Sequence, residues 1–576
     1  MRRFGSIFTL LSLFAALGCA RKVEGNQEVT VTVKPGARQS WQGLGFGPPG
    51  HNGNFLSQAS HEKVANMIWG TLGATQARLF LYGLNTPGPG IAPSVAPWVN
   101  NMMPPNGYQW EAMLKAGVTD RILCLFDIPT YDSSPATAVP WSLTGNGRGP
   151  ASSDGITDFC NLMVSALDQF RKAGMVFNWV EVVNEPSIGT SKRPTIAPAQ
   201  WPVVVDRLRE TLDERGYRLD GSGPYQAVDI MGPSCSQANV ASPYPNTMGA
   251  ILKAMASDVR CWGDAAHRGS LGRISYHSYG VALSEEIQRL FTANGRTIPV
   301  ECTEASDWGS SVVDSVQEGA GDWYSATGMT ARLLNDLNWG ASYWMGFNSY
   351  QNNLSCTLLV TTLSDSEWVV QQKYYALKLI HSVLEKNATA RNVSSSLDGT
   401  LDWAGKRKAH LYPAVLKNPD GTWAILLQNH TSSNFGAAGA SAMLRFYGID
   451  TNEMRNAVTR NGGPDQDETY DVTVDLSSEL GHSASGTFNV YKMGPPPYSL
   501  SASFRKGDVV QFNGIIYACQ SPNTGSPPSK LNPSWSVTSI DTTGKLFETV
   551  KMSGGTVKVP NVGPLDLFVL KSTTPL

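Results

Sequence analysis

The strongest constraint on the fold is a recurrence. Between residues 41 and 384, eight short apolar runs alternate with longer segments of helical spacing. The runs lie at 43–47, 75–82, 121–126, 179–183, 228–232, 274–277, 298–303 and 341–344. Several are unbroken stretches of Val, Ile, Leu and Phe, which is how parallel strands read when helices cover both faces. Between them, 153–173 opens on Ser and Asp and closes on Gly174, and 202–215 closes on Gly216, the punctuation of helix starts and stops. Segments 284–293, 322–338 and 369–384 carry the same spacing. Eight β/α repeats predict an α/β fold, a (β/α)8 barrel over about residues 40–385. A doubly wound sheet would instead need a glycine-rich phosphate loop that opens into a helix. The run Gly43-Leu-Gly-Phe-Gly has the glycines, but Pro48 and Pro49 block the helix.

After Lys386 the period changes from helical to alternating. Segments 410–416, 423–428, 470–476, 487–491 and 556–570, separated by turn residues, predict an antiparallel β-sandwich. Residues 29–33, VTVTV, alternate in the same way ahead of the barrel and are expected to pair with that sheet. The second domain is therefore assembled from 25–36 and 386–576. Inside it, 504–537 contain Gly507-Asp-Val-Val-Gln-Phe-Asn-Gly-Ile-Ile-Tyr517 and a later Trp535. This resembles small chitin- and cellulose-binding modules with a G-D-x-V-x-x-x-G-x-x-Y signature. The plainer alternative is an elaborated hairpin of the sandwich.

The N-terminus reads as a targeting segment. Arg2 and Arg3 precede an apolar run, 7–17, too short to span a bilayer. Cleavage after Ala20 fits Gly18-Cys19-Ala20; a lipobox reading of Ala16-Leu17-Gly18-Cys19 would make Cys19 a lipidated membrane tether. Either processing places the protein outside the cytoplasm, secreted or lipid-anchored at the cell surface. Lys+Arg total 45 against 47 Asp+Glu, so no basic surplus exists to hold nucleic acid. Of the remaining cysteines, Cys124 and Cys302 sit in apolar runs as core residues, while Cys235 and Cys261 are candidates for a disulfide. There is no CxxC pair, and the eight histidines show no HExxH or HxH spacing. Neither a metal nor an organic cofactor is expected.

Two carboxylates stand where a barrel places chemistry. Trp179-Val-Glu-Val-Val-Asn-Glu-Pro186 is a strand that ends in Asn184-Glu185 before Pro186 forces the chain out. Thr297-Ile-Pro-Val-Glu-Cys-Thr-Glu304 is a second strand ending in a carboxylate. C-terminal strand ends form the mouth of such a barrel, so both belong to the catalytic face. Paired carboxylates suit glycosidic cleavage, where one donates a proton and the other attacks or stabilises the anomeric carbon. Glu301 is the rival to Glu304; strict alternation would put the two on opposite faces of the strand. Glu181 shares the face of Glu185 but lies deeper, as a buried partner for a basic residue. Asp127, Tyr131 and Trp308 are loop candidates for substrate contact or for lining the mouth.

Asn-Glu-Pro closing the fourth strand and Thr-Glu closing the seventh resemble the retaining glycoside hydrolases of clan A. With His277-Ser-Tyr279, Tyr343-Trp344, Trp41-Gln-Gly-Leu-Gly-Phe-Gly and a barrel flanked by a sandwich, the chain looks most like family 30. The resemblance implies Glu185 as acid/base, Glu304 as nucleophile and Asn184 on the sugar 2-hydroxyl. It also implies His277, Tyr279 and Trp344 around the scissile sugar, and Arg78 beneath the nucleophile. The implied partner is a β-linked polysaccharide or oligosaccharide: xylan, β-1,6-galactan or β-1,6-glucan. A transglycosylase with the same residues, and a non-catalytic carbohydrate-binding protein, are the alternatives. The third-strand end departs from the family pattern, reading Phe126-Asp-Ile-Pro-Thr-Tyr131.

Overall fold

The structure is a computed structural model. It describes residues 26–47, 57–81, 92, 94–105, 107–125, 155–186, 196–236, 238, 240, 247–278, 283–305, 320–347, 349–351, 359–364, 366–397, 411–432, 467–529 and 531–576. The segment 7–17 and Cys19 lie outside these. Among the described residues, no helix is long and apolar enough to cross a membrane.

Eight strands close into a parallel barrel in chain order: β1 (Gly43–Phe46), β2 (Gln76–Leu81), β3 (Asp120–Leu125), β4 (Trp179–Glu181), β5 (Asp229–Cys235), β6 (Arg273–His277), β7 (Val300–Ala305) and β8 (Ala341–Gly346). Each expected run overlaps one of them. Helices cover the outside because every parallel crossover must return the chain to the start of the next strand. Helix Gly155–Lys172 gives way to Gly174 at φ +86°, and Trp201–Glu214 to Gly216 at φ +90°, where only glycine turns without strain. Helix Trp323–Trp339 is capped by Asp322, whose side chain accepts from the Ser325 N–H, and ends at Gly340 in the left-handed region.

One expected helix is much shorter. Segment 284–293 forms a helix only over Glu285–Gln288, then a tight turn over Arg289–Phe291. Thr292–Ala293 pairs instead with Arg296–Thr297 across Asn294-Gly295, both at positive φ. The Asn-Gly hairpin signal overrides the helical spacing there.

The second domain is a ring of nine strands, antiparallel at every pairing but one. Gln27–Ser40 closes it, antiparallel to Thr389–Ser395 and parallel to Tyr470–Asp475. Its Val29, Val31 and Val33 point into the ring's core and Thr30 and Thr32 point out, the consequence of period-two alternation. Residues 503–537 lie outside the ring. They make a three-stranded sheet, Val509–Phe512, Ile515–Cys519 and Trp535–Val537, beside a two-stranded one, with a core of Phe504, Val510, Ile515, Tyr517, Cys519 and Trp535. They are neither a hairpin of the ring nor an exposed platform at Trp535: that side chain is 4% exposed and its indole N–H bonds the Ser526 carbonyl.

Cys235 and Cys261 are both buried thiols and form no bridge. Cys235 ends β5, while Cys261 sits in the short helix Val259–Trp262, each taken up by apolar packing.

Candidate active site

The site is built at the C-terminal ends of β2, β4, β5, β6 and β7. After β4 the chain stays beside β5 for one more bond, Val182 N–H to the Met231 carbonyl. It then turns at Glu185, whose φ is +49°. A left-handed conformation costs a non-glycine residue on the order of 1–3 kcal/mol and persists only where its surroundings impose it. Here the Glu185 N–H bonds the carbonyl of Ser234, itself at φ +55° at the end of β5. The turn aims Glu185 Oε1 at His277 Nδ1, 3.0 Å away.

Glu304 arrives by a different route. The ladder on both sides of β7 slips a register after Cys302. This bulge defeats the alternation. Glu301 therefore does not face away from Glu304: both project into the barrel, one at the floor and one at the mouth. Glu304 Oε2 accepts from Arg78 Nη1 at 2.8 Å and lies 3.6 Å from His277 Nε2. One carboxylate oxygen each from Glu185 and Glu304 lies within 4.8 Å of the other. Burial pushes the Glu304 carboxyl above its ordinary value; the charge of Glu185 adds to the rise, and His277 and Arg78 oppose it.

Arg78 is fully enclosed beneath this pair. Its guanidinium donates to Glu181 at 2.5 Å, to Glu304, to Asn184 Oδ1 at 2.8 Å and to Ser234 Oγ at 3.2 Å. Burial alone would raise Glu181, but Arg78 and then His277 bring it below its ordinary value. Because the Asn184 oxygen is committed to Arg78, its amide nitrogen is the group left over. Asn184 Nδ2 is buried and has no partner among the described residues. An orphaned buried donor at a mouth is poised for a ligand acceptor. His277 Nε2 sits 3.0 Å from Ser234 Oγ and 3.5 Å from Arg78 Nη2. The Nδ1 edge of the ring thus faces Glu185, and the Nε2 edge faces Ser234 and Arg78.

Glu185, His277 and Glu304 have the spacing of a three-ligand cation site. Arg78 supplies a fixed cation to Glu304 there.

Sequence reasoning missed several residues. Phe80 lies two positions after Arg78 on β2, half-buried, with its ring 4.2 Å beneath the guanidinium carbon and 5.8 Å from Phe347. The two rings form an aromatic wall beside the Arg78 guanidinium. The i, i+2 spacing from Arg78 was the available signal. Ser234 had none, being placed by the end of β5 rather than by a motif. Trp344 does not belong to the mouth. It is fully buried, and its indole N–H bonds Asp336 of helix Trp323–Trp339, so the ring lies between β8 and the helix layer. Tyr343, one residue earlier, takes the interior face, and alternation sends Trp344 outward. Tyr279, Asp127, Tyr131 and Trp308 lie outside the described residues.

No protein-family model matches the sequence, and no curated protein matches it. Solved structures do. The chain is similar to the catalytic domain of the family 30 xylanase C from Talaromyces cellulolyticus, at 17% identity and TM-score 0.53, covering 95% of this chain and 100% of that one. It is similar to the family 30 subfamily 8 xylanase from Clostridium acetobutylicum, at 10% identity and TM-score 0.51, covering 95% and 99%. SrfJ from Salmonella typhimurium aligns at 10% identity and TM-score 0.54, covering 96% and 94%. An eight-stranded parallel barrel, a nine-stranded ring beside it and a match over nearly the whole chain give this protein the fold of the family 30 glycoside hydrolases.

Proposed function

We propose that this protein is a retaining endo-β-glycosidase that hydrolyses a β-linked polysaccharide outside the cytoplasm, either secreted or held by a lipidated Cys19. The observation that carries the reading is the pairing of Glu185 and Glu304, with oxygens within 4.8 Å at the barrel mouth. Retaining enzymes hold their carboxyl groups about 5–5.5 Å apart, and inverting ones about 6.5–9.5 Å to admit a water. In this reading Glu185 protonates the glycosidic oxygen while Glu304 attacks the anomeric carbon and the leaving sugar departs. Glu185, now a carboxylate, takes a proton from water, and that water releases the sugar from Glu304. The Arg78 charge opposes the rise that burial gives the Glu304 carboxyl and fixes the oxygen it bonds. His277 holds Glu185 through Nδ1, and Asn184 Nδ2 donates to the sugar 2-hydroxyl. The Phe80–Phe347 wall offers an apolar face to a sugar ring.

The polymer is xylan, β-1,6-galactan or β-1,6-glucan. Two of the similar structures are named as xylanases, which makes xylan the first to try. The test is release of reducing ends from this panel, with proton NMR of the first-formed anomer. The β anomer is expected first. An initial α anomer contradicts retention, and no product from any β-glycan contradicts the glycosidase reading.

A further inference from the structure

The small module after residue 497 is joined to the barrel in a way a tethered binding module would not need. Helix Trp323–Trp339 follows β7, so its N-terminus lies on the mouth side. The hairpin between Val509–Phe512 and Ile515–Cys519 lays its tip along that N-terminus. Trp323 donates its backbone N–H to the Gly514 carbonyl at 2.9 Å, and Ile516 donates to Gly321 at 2.9 Å. The first bond satisfies an N–H that the helix itself cannot. Gly514 has φ +78°, and a Cβ there would stand 2.3 Å from the Tyr324 ring. A Cβ on Gly321 would meet the Ile516 and Thr538 carbonyls at 2.9 Å. Ile516 itself is fully buried in the core it shares with the barrel. A second grip falls on helix Gln372–His381, after β8. Gln372 exchanges two hydrogen bonds with the backbone of Ile540, at 2.8 and 3.0 Å, and Lys378 pairs with Asp541 at 2.7 Å.

Helix Trp323–Trp339 reaches the site from behind. Arg332 donates to the carbonyl of Ser278, next to His277, at 2.7 Å, and Asp336 holds Trp344 of β8. Ser278 in turn bonds the Glu304 carbonyl. We infer that residues 498–541 are a positioning brace: they fix the mouth-side end of this helix, and through Arg332 and Asp336 hold β6 and β8 so that His277, Glu185 and Glu304 keep their spacing. The catalytic half of the inference rests on the glycosidase reading above. The signature residues find a use in it without a sugar. Tyr517 and Trp535 build the module's core, Asp508 ties its turn by accepting from the Arg505 N–H, and Gly514 makes the close approach.

The test compares full-length wild type with Gly514→Val, which wedges the hairpin from Tyr324, and with the milder Gln372→Ala. Amide hydrogen exchange is followed over 300–305 and 323–330, and kcat and KM are measured on 4-nitrophenyl β-xyloside, β-galactoside and β-glucoside, whose single ring occupies only the mouth. Exchange over both segments should rise about tenfold or more, the loss of roughly one hydrogen bond's protection. On whichever glycoside the wild type cleaves, kcat should fall about tenfold or more at nearly constant KM, since small displacements of reacting groups cost rate steeply. The pH limbs of kcat/KM should move with it. Exchange changes confined to 498–541, or an unchanged kcat, would overturn the brace. If Gly514→Val does not fold, Gln372→Ala gives the same readouts. A wild type that cleaves neither these glycosides nor any polymer of the β-glycan panel sinks the glycosidase reading instead, and the exchange data still decide whether the module holds the helix.

Discussion

At the residue scale the protein is governed by two arginines, Arg78 buried and Arg273 half-buried, that each face two carboxylates. At the mouth, Arg78 serves Glu181 and Glu304. At the floor, Arg273 lies 2.9 Å from Asp120 and 3.0 Å from Glu301, sandwiched against the rings of Trp179 and Tyr343. One guanidinium cannot neutralise two carboxylates, and burial pushes Glu301 up to about 8, with Arg273 opposing and Asp120 adding. Glu301 Oε1 and Gln76 Oε1 are both buried and have no hydrogen-bond partner among the described residues. Glu301 keeps its proton in the folded chain while the unfolded chain gives it up above the ordinary value of 4.5. Stability is therefore full below that pH and declines as pH rises toward about 8. Glu301→Gln, which cannot ionise, should flatten the decline, by on the order of a few kcal/mol at pH 9. Urea unfolding from pH 5 to 9 checks it; equal slopes for both proteins would refute the protonated assignment. At this scale Glu185, Glu304 and Asn184 were legible because a strand followed by Asn-Glu-Pro or closing on Thr-Glu announces its own end. Trp344 was misread because the family motif outran the alternation that Tyr343 fixes.

At the scale of elements, continuous apolar runs located every barrel strand, since a strand buried on both faces leaves no other pattern. What the runs did not announce was the bulge in β7. A register slip depends on the neighbouring ladders, not on the strand's own composition, and it is this slip that brings Glu304 to the face of Glu301. The strand Gln27–Ser40 was legible for the opposite reason: five alternating residues have no place in a parallel barrel. It pairs on both sides and buries Val29, Val31 and Val33. Removing residues 26–34 should open the ring and leave two unpaired edges. Such edges template aggregation. The truncated chain is expected to form soluble aggregates on size-exclusion chromatography and to lose its cooperative thermal transition. A monomer with the full-length transition would show that the strand is dispensable.

At the scale of the molecule, the barrel concentrates its charges on the axis while its helices, ring and small module determine where those charges stand. The fold class was readable from period alone, because helical and alternating patterns occupy separate stretches of chain. The way the module clasps two barrel helices was not, since main-chain bonds between segments almost 200 residues apart leave no mark in sequence.

Azide rescue separates the roles of Glu185 and Glu304. With Glu185→Ala, polysaccharide cleavage should fall about 10²–10⁴-fold, the usual worth of general acid–base catalysis. An activated aryl β-glycoside should still react, and azide, which needs no base, should restore turnover. The product should be the β-glycosyl azide, retention being preserved through Glu304, while Glu304→Ala should give only the α-glycosyl azide by direct displacement. An α product from Glu185→Ala would contradict the assignment and exchange the two glutamates' roles.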